Sequence, residues 1–228
     1  MRRFALTFVS FLLGCQAAAI GAWPILVDHE DQPFAYVGVL YNNFSPICTV
    51  EMIDQRTFVT AAHCFDDGPA TSFETVSFDG QKHYNVVGSV QHEDWTNRNP
   101  YDMTNDIAVG YLGSSPGIAP VTIRQVPVTI DNLGDTITVI GRSMATMRVS
   151  FDEWILGRLE DTSLILWPDP DHFLRPGDSG GALLLNGELA GIHVLMIGDD
   201  KSRWTIIGST DVGQHAEWLN EHRQPDPG

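Results

Sequence analysis

Three separated segments of the sequence carry residue types that could act together in catalysis. His63 ends a β-like run, Asp106 stands at the entrance of another apolar run, and Ser179 lies in the glycine-rich stretch 177–181. A serine hydroxyl is a weak nucleophile at neutral pH, so it needs a base to take its proton and a third group to hold that base. The neighbouring glycines let the backbone bend and approach a ligand closely. The pattern predicts nucleophilic catalysis by Ser179.

Strands separated by turns must position these three segments. Runs rich in Val, Ile, Thr and aromatic residues predict strands over 35–41, 57–61, 84–90, 107–112, 136–141, 163–167, 181–185 and 189–195. Asn186-Gly187 predicts a tight hairpin between the last two, whereas the stretches 65–79 and 91–105 predict loops. Thr210 or Asp211 can cap a helix that continues through Leu219. The sequence therefore predicts an all-β domain with a C-terminal α-helix.

Composition narrows the classes of function. Hydrophobic residues make up 43% and charged residues 18% of the 228 positions, which is typical of a globular protein. The net charge is −16, so a phosphate backbone would repel the protein, and we expect no nucleic-acid partner. The eight histidines show no metal-ligand spacing such as HExxH, and no CxxC pair is present. We expect no cofactor and no metal site. The alternative, left open by the sequence, is calcium bound by acidic loops such as Asp66-Asp67 and Glu93-Asp94.

The N-terminal segment has the features of a secretory signal peptide. Arg2 and Arg3 precede a mostly apolar run over 4–13 and then several small residues. We expect a signal peptide over 1–22, cut after Ala19 or Ala22, and a folded domain over 23–228. The run is too short to span a bilayer, and no later stretch is long enough. The alternative is a lipid-modified Cys15, because the residues before it resemble a bacterial lipoprotein box.

Cysteine usage supports export. Without the signal segment the chain holds Cys48 and Cys64. An even pair in an oxidising compartment predicts one disulfide. We therefore expect a secreted, extracellular protein.

Three motifs in order, together with the cysteine pair, resemble the trypsin- and chymotrypsin-like serine endopeptidases. The resemblance runs from about Phe34 to Leu219 and follows the family order of His, then Asp, then Ser. Cys48 stands sixteen residues before Cys64, as in the family disulfide beside the histidine, and the terminal helix with Glu217-Trp218-Leu219 also fits. The resemblance implies two packed six-stranded antiparallel β-barrels with the catalytic cleft between them.

The resemblance also implies a role for each motif residue. Ser179 attacks the scissile carbonyl, His63 takes and returns the proton, and Asp106 orients the imidazole. The backbone N–H groups of Gly177 and Ser179 form the oxyanion hole. Asp178 has a structural role, because the family pairs this aspartate with a newly freed N-terminal amine. Ile20 and Ile25 are the candidates for that terminus, and whether a zymogen exists stays open.

The specificity pocket departs from the digestive enzymes. Phe173 stands six residues before the serine, where trypsin carries the aspartate that selects Lys and Arg, so a preference for basic residues is not supported. Glutamate-specific members carry a pocket histidine at the position of His193, and Arg175 lies close to the oxyanion loop. The alternative for His193 is a buried strand histidine satisfied by its neighbours.

These observations together predict a monomeric, secreted serine endopeptidase that acts through an acyl-enzyme. Its partners would be protein or peptide substrates and protein inhibitors. The alternative is a catalytically silent, protease-like binding protein, in which the fold persists while the cleft is unused.

Overall fold

Two closed antiparallel barrels make up the fold. The computed structural model describes residues 34–66, 74–96, 104–142, 149–160, 163–167, 177–197 and 206–224. The strands of that part form two six-stranded barrels, which confirms the predicted architecture. Counted along the chain, the strands of the first barrel are adjacent in the order first, second, third, sixth, fifth, fourth, and the fourth closes onto the first. The six strands of the second barrel repeat this order.

The element bounds follow the chain. The first barrel comprises β1 (Val37–Asn42), β2 (Ser45–Met52), β3 (Thr57–Thr60), β4 (Glu74–Ser77), β5 (His83–Gln91) and β6 (Ala108–Leu112). The second comprises β7 (Thr136–Arg142), β8 (Val149–Glu160), β9 (Ser163–Trp167), β10 (Ala182–Leu185), β11 (Glu188–Ile197) and β12 (Ile206–Asp211). Single 3-10 turns cover Ala62–Phe65, Ile130–Asn132 and Val212–His215, and the helix α1 spans Ala216–Glu221.

The buried apolar side chains form three clusters, one inside each barrel and one between the barrels. In β2, Val50 and Met52 point into the first barrel, while Thr49 and Glu51 lie on the opposite face of the strand. In β3, Phe58 likewise points inward, and Val59 joins a separate apolar core between the barrels. The residues of this inter-barrel core include Val37, Val59, Ile107, Val109, Ile140, Ala182, Ile192, Trp218 and Leu219. Burial of this apolar surface holds the two barrels together.

Four strands were not predicted from the sequence. These are β2, β4, β8 and β12, and β4 lies inside the stretch 65–79 that we expected to be a loop. β2 contains a proline, a cysteine and a buried glutamate, and β4 has only four residues, so neither shows a strong strand pattern. Barrel closure supplies the missing constraint, because a closed sheet needs a paired neighbour on both sides of each strand.

The predicted hairpin and the C-terminal helix are present. Asn186 and Gly187 have φ values of 55° and 81°, which suit the two-residue turn between β10 and β11. Asp211 caps the final helical segment, since its carboxylate accepts from the Gly213 N–H at 2.8 Å. The other carboxylate oxygen accepts from the Val128 N–H at 2.9 Å. In the described ranges no helix has the length and apolar character needed to cross a membrane.

Candidate active site

His63 lies on a short turn that is held from two sides. β3 ends at Thr60, and the 3-10 turn Ala62–Phe65 follows at once. Cys64 forms the predicted disulfide with Cys48 of β2, and their Cα atoms are 6.3 Å apart. From β5, the Gln91 side chain donates to the Ala62 carbonyl at 2.8 Å. These constraints fix the backbone of His63, whose side chain is 29% exposed.

Asp106 contacts His63 through both carboxylate oxygens. Oδ1 accepts from the backbone N–H of His63 at 2.9 Å, and Oδ2 lies 2.8 Å from the imidazole Nδ1. A carboxylate can only accept, so Nδ1 carries the proton of the neutral ring and Nε2 is its acceptor atom. The Asp106 residue is buried, and its own carbonyl accepts from the Thr210 hydroxyl of the second barrel at 3.3 Å.

Opposing influences set the basicity of His63. Burial is the largest single influence and disfavours protonation of the imidazole. The hydrogen bond and charge of Asp106, together with the charge of Asp66, act in the other direction and outweigh burial. The pKa of His63 is therefore raised above its ordinary value of 6.5. Asp66 is itself held by the indole N–H of Trp95, which donates to its Oδ1 at 3.1 Å.

Ser179 lies in a tight turn at the edge of the second barrel. Gly177 and Gly180 have φ values of 99° and 85°, a region that L side chains rarely adopt. The Gly180 N–H donates to the His193 carbonyl and the His193 N–H to the Gly181 carbonyl, each at 2.8 Å, so β11 anchors the turn. Ser179 remains partly exposed.

The two barrels meet at this turn. A Cβ on Gly180 would lie 3.3 Å from the Ala61 nitrogen and would collide with the Thr60 hydroxyl and the Thr49 carbonyl. The Ser179 carbonyl accepts from the Thr49 N–H at 2.8 Å. The fold thereby brings the serine turn against the strand end that leads into His63.

Asp178 is buried beside the serine, with 3% of its surface exposed. Its Oδ1 would lie 2.6 Å from a Cβ at Gly141 of β7, so a larger residue there would force the Asp178 side chain to shift. Its carbonyl accepts from the Gly181 N–H at 2.9 Å and closes the turn. The N-terminal amine that the resemblance pairs with this aspartate lies outside the described residues, as does the expected signal peptide.

Of the three pocket candidates, the structure describes only His193; Phe173 and Arg175 lie outside the described ranges. His193 is buried on β11, its Nδ1 lies 3.4 Å from the Ser209 hydroxyl, and its Nε2 has no partner among the described residues. Burial lowers the pKa of His193 to about 3, so the ring is neutral at pH 7.

Sequence reasoning missed several residues around the site. Thr49, Gln91 and Asp66 contact or influence the two turns, yet none belongs to a motif. Thr60 opens the histidine motif, but the motif predicts no role for its hydroxyl. The position of Thr49, directly after a disulfide cysteine, is the one signal that could have indicated it. Within the described ranges, Cys48, His63 and Cys64 form the one group of three close enough for a metal, but disulfide sulfurs are not thiolate ligands.

Comparisons with known proteins agree with this fold. A family model described as Trypsin matches residues 27–147. Among solved structures, the chain is similar to neuropsin, a serine protease expressed in the limbic system of mouse brain, with 19% identity and a TM-score of 0.70. That likeness covers 83% of this chain and 94% of the neuropsin chain, and at this identity it concerns the fold alone. No curated protein matches the sequence significantly.

Proposed function

Because the chain belongs to the Trypsin family, we propose that it is a serine endopeptidase whose reacting groups are His63, Asp106 and Ser179. A fold alone does not establish a reaction, so the proposal depends on the site. The observation that supports it most directly is the double contact of one buried carboxylate with the His63 backbone and ring. That contact leaves Nε2 as the acceptor that a neighbouring serine hydroxyl needs.

The proposed reaction is amide hydrolysis through an acyl-enzyme. The Ser179 Oγ attacks the scissile carbonyl carbon while its proton passes to Nε2 of His63, and Asp106 stabilises the resulting imidazolium. The backbone N–H groups of Gly177 and Ser179 would donate to the oxyanion, a contribution of roughly 3 to 4 kcal/mol for each such donor. The tetrahedral intermediate then expels the amine, which takes the proton from His63. Water repeats the sequence to release the acid.

We include His193, Phe173 and Arg175 in the proposed specificity pocket. Because burial keeps His193 neutral, it would recognise a substrate side chain by a hydrogen bond and not by charge. Its contact with the serine turn supports a place near the reacting bond. The competing interpretation, a strand histidine with a purely structural role, is supported by its 1% exposure.

Maturation and location belong to the same proposal. We propose that residues 1–22 direct export and are cut after Ala19 or Ala22, and that the peptidase domain over 23–228 acts outside the cell as a monomer. The disulfide between Cys48 and Cys64 supports an oxidising compartment. Its partners would be protein or peptide substrates and protein inhibitors. Intact mass of the secreted protein would give the N-terminus directly.

A fluorophosphonate probe tests the activity, because it labels a serine only where base and oxyanion donors are assembled. We expect labelling of the mature protein, with loss of labelling in Ser179→Ala and in His63→Ala. Ser115→Ala, which changes an exposed serine just after the end of β6, is the matched control and should label normally. A folded, mature protein that is not labelled would refute the enzyme proposal and favour the silent binding protein.

A further inference from the structure

A single residue of the first barrel holds two carbonyls of the serine turn. The Thr49 hydroxyl donates to the Gly177 carbonyl at 2.8 Å, and the Thr49 N–H donates to the Ser179 carbonyl at 2.8 Å. Thr49 is fully buried on β2, so water does not compete freely for these bonds. Gly177 and Ser179 are also the two residues whose N–H groups we propose as the oxyanion donors.

Thr49 is in turn held by its own strand neighbour. The Thr60 hydroxyl, at the end of β3, donates to the Thr49 carbonyl at 2.7 Å. Gly180 packs directly onto this pair, since a Cβ there would collide with the Thr49 carbonyl and the Thr60 hydroxyl. Thr49 and Thr60 of the first barrel, the threonine pair, therefore support the serine turn of the second barrel.

The turn depends on contacts from outside because two of its residues are glycines, whose backbone is the least restricted of any residue type. Gly177 and Gly180 both adopt positive φ, where glycine has more conformational freedom than any other residue. The Gly177 carbonyl lies in the peptide that follows the residue and the Gly177 N–H in the peptide that precedes it, so the Thr49 bond acts on that N–H through the position of the Gly177 Cα. A shift of this Cα would move the N–H away from a developing oxyanion. Oxyanion donors stabilise the transition state only when they are already aligned.

We propose that Thr49 is a positioning residue, which keeps the oxyanion donors of Gly177 and Ser179 aligned without touching the substrate. This inference rests on the proposed function. The side-chain hydroxyl is the informative group, because the backbone bond to Ser179 can form with any residue except proline. The Thr49 hydroxyl is thus expected to affect transition-state stabilisation more than substrate binding.

Steady-state kinetics on three variants test the proposal. Thr49→Val keeps the shape and removes the hydroxyl, and we expect kcat to fall about three- to tenfold with little change in KM. Thr49→Ser restores the donor and should restore kcat. Thr57→Val is the matched control, because the Thr57 hydroxyl is also buried and accepts one backbone bond, from Gln224, away from the serine turn. We expect it to leave kcat unchanged.

A second measurement does not depend on activity. In a Ser179→Ala background, amide hydrogen exchange over 177–181 should be faster with Thr49→Val than with Thr57→Val. Thr49→Ala is measured in parallel, so that the result does not depend on one variant folding. A wild-type protein that the fluorophosphonate probe does not label would refute the proposed function. The exchange rates would still test whether Thr49 holds the serine turn.

Three results would overturn the inference. The first is a folded Thr49 variant that keeps full kcat and normal exchange over 177–181. The second is an equal loss of kcat in Thr57→Val, which would indicate a general loss of stability. The third is a change confined to KM, which would indicate substrate binding instead of alignment.

Discussion

Replacing Glu51 with Met is expected to stabilise the protein, increasingly so as the pH rises. Glu51 is fully buried on β2, and neither carboxylate oxygen has a hydrogen-bond partner among the described residues. Its neighbours across the strands, Val37 and Val59, belong to the apolar core between the barrels. Burial alone raises the pKa of Glu51 well above its ordinary value.

The size of the expected stabilisation follows from the missing hydrogen-bond partners of the Glu51 carboxyl. Even a neutral carboxyl that is buried without a hydrogen bond costs about 1–3 kcal/mol, and a Met of similar size removes that cost. Ionisation adds a pH-dependent part. Because the folded-state pKa of Glu51 is raised, its contribution is least unfavourable below the unfolded-state pKa of about 4.3. The free energy of unfolding then falls as the pH rises from the unfolded-state pKa through the folded-state pKa of Glu51. Between these two pKa values it falls by about 1.4 kcal/mol for each pH unit.

Urea denaturation between pH 4 and pH 8 measures both parts, in a Ser179→Ala background that prevents self-cleavage. We expect Glu51→Met to raise the free energy of unfolding by about 1–3 kcal/mol near pH 4 and by more at pH 7. Glu51→Gln is neutral at every pH and should remove only the pH-dependent part. Glu217→Met, at an exposed position of α1, is the control and should change stability by less than about 0.5 kcal/mol.

Two outcomes would refute this reasoning. One is that Glu51→Met lowers the free energy of unfolding at every pH. The other is that the wild-type and Glu51→Met stability curves run parallel between pH 4 and pH 8, because the carboxyl would then titrate alike in the folded and unfolded states.

Three further predictions concern the site and its supports. The acid limb of the kcat/KM profile should have its midpoint above pH 6.5, since His63 must be neutral to act as a base. Asp66→Asn should move that midpoint to lower pH at low salt, because it removes a charge that raises the pKa of His63. An unmoved midpoint would contradict the role of Asp66. Breaking the disulfide with Cys48→Ser should cost about 3 kcal/mol in urea denaturation, as expected for a loop with a separation of 16 residues. Gly180→Ala should abolish fluorophosphonate labelling, because its methyl group would collide with β2, and normal labelling would show that the turn can shift.

The candidate site could be predicted from the sequence to the level of its three motifs. His63, Asp106 and Ser179 stand in local settings that only a few functions require, and the cysteine pair adds an independent constraint. The Cys48–Cys64 disulfide and the two-barrel fold are confirmed by the structure. The assignment of Phe173, Arg175 and His193 to a pocket stays a prediction.

The supports of the site could not be predicted, because they join residues far apart in sequence. Thr49 reaches Gly177 across 128 positions, and no local pattern marks a threonine that will bind a distant carbonyl. Glu51 is a clearer case, since a charged residue on a strand suggests a solvent-facing position, whereas barrel packing buries it completely. The four unpredicted strands have the same origin, because their pairing partners decide their conformation.

The sequence by itself determined the types and the order of the candidate catalytic residues and the disulfide partners, since these depend on side-chain chemistry and local turn preference. Only the tertiary structure decided which carbonyls are held, which face of β2 is buried and how His63 and Asp106 meet at 2.8 Å. Such contacts form when two barrels pack, and packing is a property of surfaces assembled from the whole chain. A motif can specify what a residue is able to do, but its alignment depends on the neighbours that folding brings to it.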